Sequence, residues 1–168
     1  MIVRDTLVFR TLLSIARQRA DYDEFRSHAL MELLATADAI HSKLKLRLTE
    51  FNLSELQFST LVVLLALDPE PVLPTTLATH TNASRATVTD ILDNLLARDL
   101  ISRQRSQEDR RNYLITLTDA GRAIADSAES AILRTFAELG SPLNEPAPRA
   151  LLAICDKLVP RTNLAPAQ

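Results

Sequence analysis

The sequence predicts a mainly α-helical protein with one small β-hairpin, and three observations carry that reading. Between Ser84 and Leu96 the apolar residues Val88, Ile91, Leu92, Leu95 and Leu96 recur at the spacing of one helical face. From Tyr113 to Thr118 the period drops to two: Tyr113, Ile115 and Leu117 alternate with Leu114, Thr116 and Thr118, as in a half-buried strand. A second candidate strand, ISRQRS from Ile101, precedes it, and the QEDRRN tip between them is too charged to be buried. Third, Thr75 to Leu96 reads as a short helix, TTLATH, a tight turn at THTNA and a longer helix capped by Ser84. The expected architecture is a winged helix-turn-helix flanked by N- and C-terminal helices.

The remaining elements follow in chain order. Thr6 to Arg19 spaces Leu7, Leu12, Leu13 and Ile15 in a roughly helical pattern. Asp5 and Arg10 interrupt its apolar run and no small-residue cleavage site follows, so it reads as an amphipathic helix rather than a signal peptide. After ADYDEF, a helix from about Glu24 to Thr49 carries Leu30, Leu33, Leu34, Ala37, Ile40, Leu44 and Leu48 as a stripe over several turns. Its length exceeds what a small domain needs internally, which suggests a partner helix from a second copy. Ser54 caps SELQFSTLVVLLALD, a helix apolar nearly all round and therefore central. Pro69, Pro71 and Pro74 end it. Beyond the hairpin, Thr118 caps a helix through Leu139 with Ile124, Ala128, Ala131, Ile132 and Phe136 on one side, stopped by Gly140 and Pro142. A last helix, Pro146 to Val159, aligns Leu151, Ile154, Cys155 and Leu158.

Composition bounds the function. A chain of 168 residues with 46% hydrophobic and 24% charged residues fits a folded, non-membrane protein. The net charge of −2 conceals a local asymmetry: from Arg98 to Tyr113 five Arg face Asp99, Glu108 and Asp109, a net of +2, leaving −4 elsewhere. An acidic body with one basic projection is compatible with nucleic-acid binding through a small surface. A single cysteine, Cys155, rules out an intramolecular disulfide framework and fits a reducing cytoplasm. On its apolar stripe it reads as a small buried hydrophobe. His28, His41 and His80 are too scattered for a metal motif, and neither metal nor cofactor is expected. The only glycines, Gly121 and Gly140, cannot cradle phosphates, and no nucleophile elbow, zinc-protease helix or dinucleotide fingerprint is present, so the chain is not read as an enzyme.

The run SRATVT, the apolar DILDNLL, the hairpin and above all SQEDRRNYLITLTDAG resemble the multiple antibiotic resistance regulator (MarR) family over roughly residues 24 to 160. The matching wing motif is Asp109 and Arg111, then Leu117 and Thr118 ending the strand, then Gly121. The resemblance implies a cytoplasmic, nucleoid-associated homodimeric regulator, mostly a repressor. It also implies a pseudo-palindromic double-stranded operator with half-sites about 10 to 10.5 bp apart, and release by a small phenolic or other anionic effector. Under it, residues 1–20 form an N-terminal helical extension, 21–52 a dimerisation helix, 53–118 the winged helix-turn-helix DNA-binding domain and 119–168 the C-terminal dimerisation helices. The extension is similar to that of the urate-responsive branch, but the Trp expected there is missing, so urate is not supported.

Residue by residue, Arg85 and the hydroxyls of Ser84, Thr87 and Thr89 are the candidates for phosphates and base edges. Arg111 is placed in the minor groove, where a narrow A·T tract concentrates negative potential. Arg103, Arg105 and Arg110 are expected on phosphates. Asp109 would hold the wing and orient an Arg through charge-assisted hydrogen bonds, as the family pattern implies, the alternative being an ordinary turn residue. Thr87 and Thr89 have the alternative of being plain exposed helix residues. Asp90 stands where a basic residue is common and can accept from a cytosine amine; Asp99 stands where a Gly usually ends the helix. Tyr22, Phe25 and His41 serve either an effector pocket or packing. A winged fold used only for protein association is the other functional class, but a scaffold has no need of four Arg on its hairpin.

Overall fold

The computed structural model describes residues 6–19, 21–105 and 112–158. The chain forms two compact units, Met1–Ile132 and Leu133–Gln168.

In the first unit, helix α1 (Leu7–Gln18) is capped by Thr6, whose hydroxyl accepts from the Phe9 N–H. It packs on α2 (Glu24–Thr49) through Phe9 and Leu13 against Met31 and Ala35, a small satellite core. Of the stripe read on α2 only Leu48 is buried, and Leu30 and Leu34 remain 45% and 53% exposed in the single chain. The reason is that α2 is apolar on two sides, and α1 covers the side bearing Met31 and Ala35.

Helix α3 (Glu55–Leu67) opens with a full capping box, Ser54 and Gln57 exchanging side-chain to backbone hydrogen bonds, and buries Thr60, Leu61 and Leu64. Helix α4 (Pro74–Thr81) starts at a proline preorganised for the first turn and ends on Asn82 at φ 51°. That left-handed residue makes the sharp turn into α5 (Arg85–Ala97), so the helix-turn-helix expected from residues 75–96 is present. Helix α5 ends at Asp99, φ 55°, where Asp substitutes for the commoner Gly.

Strands β1 (Ile101–Arg105) and β2 (Tyr113–Leu117) pair antiparallel with Ile101 opposite Leu117 and Arg105 opposite Tyr113. The segment after α3, which its prolines mark only as a turn, also contributes a bridge: Val72 and Ile115 exchange two backbone hydrogen bonds of 2.9 Å. Helix α6 (Asp119–Gly140) begins at Thr118, whose hydroxyl accepts from the Gly121 N–H and donates to the Asp99 carbonyl. Gly121 is required there: a Cβ would collide with the Leu100 carbonyl oxygen.

The main core gathers Leu61, Leu64, Leu77, Val88, Leu95, Ile101, Ile115, Ala125 and Ala128 from every element between α3 and the first half of α6. Burying each large aliphatic side chain contributes about 1.5–3 kcal/mol. Helix α7 (Ala147–Leu158), in the second unit, buries none of its residues. Cys155 is exposed there, not buried as expected, because the stripe it belongs to is left open in a single chain. No helix among the described residues is long and apolar enough to cross a membrane.

Candidate nucleic-acid interface

The outer face of α5 is set by which of its residues the core consumes. Val88, Ile91, Leu92 and Leu95 point inward, leaving Ser84, Arg85, Thr89, Asp90 and Asp93 exposed and Thr87 half-buried. The candidate hydroxyls are tied locally. Ser84 Oγ accepts from the Thr87 N–H at 3.1 Å and lies 2.8 Å from Thr87 Oγ1, while Thr89 donates its proton to the Arg85 carbonyl at 3.0 Å. Thr89 in this arrangement presents lone pairs, which suit a base amine better than a phosphate. Asn94, on the same helix, accepts from Gln57 Nε2 at 2.7 Å, joining α5 to the cap of α3.

The hairpin carries two of the expected arginines, and register separates them from the polar face. Ile101, Arg103 and Arg105 share one side with Tyr113, Ile115 and Leu117, while Ser102 and Thr116 bond hydroxyl to hydroxyl at 2.7 Å on the other. The side that starts inside the core thus ends in cations as the hairpin leaves the body. Arg103 Cζ lies 3.7 Å from the Tyr113 ring centroid and its Nη1 lies 3.8 Å from Asp93 Oδ1. Arg105 Cζ is 6.0 Å from the same ring, and its side chain is exposed. Arg110, Arg111 and Asp109 lie outside the described residues.

Two further arginines have structural partners. Arg98, part of the basic stretch, donates to the carbonyls of Asn52 and Phe51 at 2.8 and 3.2 Å, fastening the end of α5 to the α2–α3 turn. Arg122 forks onto Asp68 with three contacts of 2.7 to 3.0 Å. Those hydrogen bonds, and then the attraction of the Asp68 charge, hold the Arg122 guanidinium above its ordinary pKa. Asp93 and Tyr113 are the residues that sequence reasoning misses. The strand parity that places Arg103, Arg105 and Tyr113 on one side is the available signal for Tyr113; nothing in the sequence points to Asp93.

Of the residues weighed for an effector pocket, Tyr22 lines a cleft of about 280 Å³ with Leu12, Ile15, Arg19 and Met31, between α1 and α2. Phe25 is 82% exposed. His41 Nε2 sits 3.0 Å from Glu55 Oε1, linking α2 to α3.

Residues 42–128 match the family described as transcriptional regulator SarA/Rot. The HTH-type transcriptional repressor YetL of Bacillus subtilis is 38% identical over 72 residues, an alignment spanning 43% of this chain and 43% of that relative. The fold is shared with MepR, a transcription regulator of the Staphylococcus aureus multidrug efflux pump MepA, at TM-score 0.65 and 23% identity over 75% of this chain and 92% of that one. A point mutant of MepR, solved bound to an oligodeoxyribonucleotide, superposes at TM-score 0.57 with 23% identity over 77% and 93% of the two chains. Apo MarR of Escherichia coli matches at TM-score 0.61 and 21% identity, over 74% of this chain and 94% of that one. With the helix-turn-helix, the paired strands and the matched span in place, the chain belongs to the SarA/Rot family of transcriptional regulators, a MarR-like winged-helix family.

Proposed function

We propose that this regulator is a homodimer that binds a pseudo-palindromic double-stranded operator and represses transcription until a small phenolic or anionic effector releases it. One observation carries the reading: a helix whose inner face is locked into the core presents Ser84, Arg85 and Thr89 outward, beside a hairpin whose first strand exposes Arg103 and Arg105. In this scheme the first turns of α5 enter the major groove, Arg85 takes a phosphate or base edge, and Thr87 and Thr89 add acceptors. Arg105 and Arg110 meet phosphates, Arg111 enters the minor groove, and Asp109 braces the wing. Arg103 belongs to the same surface by position.

The charge on α5 supports giving the hairpin most of the electrostatic work. The helix carries Arg85 against Asp90 and Asp93, so its own net charge is −1. Dimerisation is supported by the open stripe of α7 and by the uncovered Leu30 and Leu34 of α2. The cytoplasmic, nucleoid-associated location is part of the same proposal.

A mobility-shift titration against genomic fragments tests it. Arg111→Ala is expected to lose most operator affinity while the dimer stays folded; unchanged binding would overturn the wing assignment. Light scattering at micromolar concentration is expected to return a dimer, and a monomer would contradict the two-half-site geometry.

A further inference from the structure

The two described hairpin arginines have different surroundings. We infer that Arg103 is a positioning residue, a strut that fixes the hairpin to the recognition helix through Tyr113 and Asp93, and that Arg105 is the phosphate contact on β1. The inference rests on the DNA-binding reading above and goes beyond it by dividing the roles.

Three features of the hairpin favour the strut. The guanidinium of Arg103 lies on the Tyr113 ring at 3.7 Å, close enough for the ring's negative face to hold the cation. Its Nη1 reaches Asp93, a residue of α5, at 3.8 Å, so the charge is met from the helix side. Arg103 also borders a cleft of about 50 Å³ between α5 and the hairpin, whose walls include Leu92, Leu96, Ile101 and Ile115. Its stem therefore continues the core face of β1, and its head bridges to the recognition helix. The same contact compensates one of the two carboxylates on α5. Arg105, two residues further out on the same side, is 6.0 Å from the ring and exposed.

Either contact is weak alone, since Arg103 and Asp93 are 38% and 62% exposed and solvent screens them. Together they act on geometry, because a hairpin free to tilt about Ile101 would present its tip to the duplex at varying heights. A positioning role and a phosphate role leave different signatures. Each phosphate contact contributes about 0.9 to the slope of log K against log salt, whereas a strut contributes to affinity without entering that slope.

The experiment uses the full-length protein and a labelled mixed-sequence duplex titrated across salt concentrations, with amide hydrogen exchange on the same variants free of DNA. Arg105→Ala is expected to lower the salt slope by about 0.9 and leave exchange unchanged. Arg103→Ala is expected to leave the slope unchanged, weaken binding roughly tenfold and speed exchange of the β1 and β2 amides. Tyr113→Leu should reproduce Arg103→Ala, and Tyr113→Phe, which keeps the ring, should behave as the parent. Arg103→Lys keeps the charge without the planar stack and should also resemble the alanine variant. The inference is overturned if Arg103→Ala lowers the slope by as much as Arg105→Ala, if Arg103→Lys restores full binding, or if the two alanine variants exchange alike. Should the parent protein bind no duplex at all, the DNA reading fails, and the exchange of Arg103→Ala against Arg105→Ala still decides the strut.

Discussion

The helices of the winged unit and the last helix of the chain are built from similarly apolar residues and end in opposite states. Helix α5 buries Val88, Ile91, Leu92 and Leu95, whereas α7 leaves Leu151, Leu152, Ile154 and Leu158 between 42% and 54% exposed. The difference teaches that the winged unit closes its own core, with α3, α4, the hairpin and the first half of α6 meeting around Leu61 and Leu95, while the stripe of α7 is a surface that a single chain does not satisfy. One region is covered within the chain, and the other is left open.

That contrast can be broken by mutation. Leu61→Ala empties a fully buried site and is expected to cost about 3 kcal/mol in urea unfolding. Gly121→Ala forces a methyl against the Leu100 carbonyl and is expected to cost about 2 kcal/mol, read the same way; a neutral result would mean that α6 can slide off the end of α5. Ile154→Ser on α7 is expected to leave the core intact and raise the dimer dissociation constant roughly tenfold, measured by sedimentation. If it instead unfolds the winged unit, the two regions are not independent. Asp99→Gly relieves a left-handed residue and is expected to stabilise by about 0.5 kcal/mol, the smallest of the four effects.

The elements themselves are legible in the residue order. Glu24 to Thr49, the capping of α3 by Ser54, of α5 by Ser84 and of α6 by Thr118, and both strands follow from period and cap chemistry, and all are present. The motif glycine is legible as a pattern, but its reason, the close approach to Leu100, is not. The charge balance misleads in one respect. Arg98 counts with the basic projection, yet it is spent on the carbonyls of Phe51 and Asn52. Val72 is hidden among prolines because a single bridging residue has no period to detect.

What could be read from residue order was everything governed by neighbours a few positions apart: helical and strand faces, caps and the arginine-rich hairpin. What waited for the folded chain was the fate of each charge. Arg122 meets Asp68, Arg98 meets the α2–α3 turn and Arg103 meets Asp93 and Tyr113, and each of these encounters joins separate elements. Periodicity reports which side of an element faces inward; it carries no information about which distant partner will neutralise an ion, because that depends on how the elements are brought together in space.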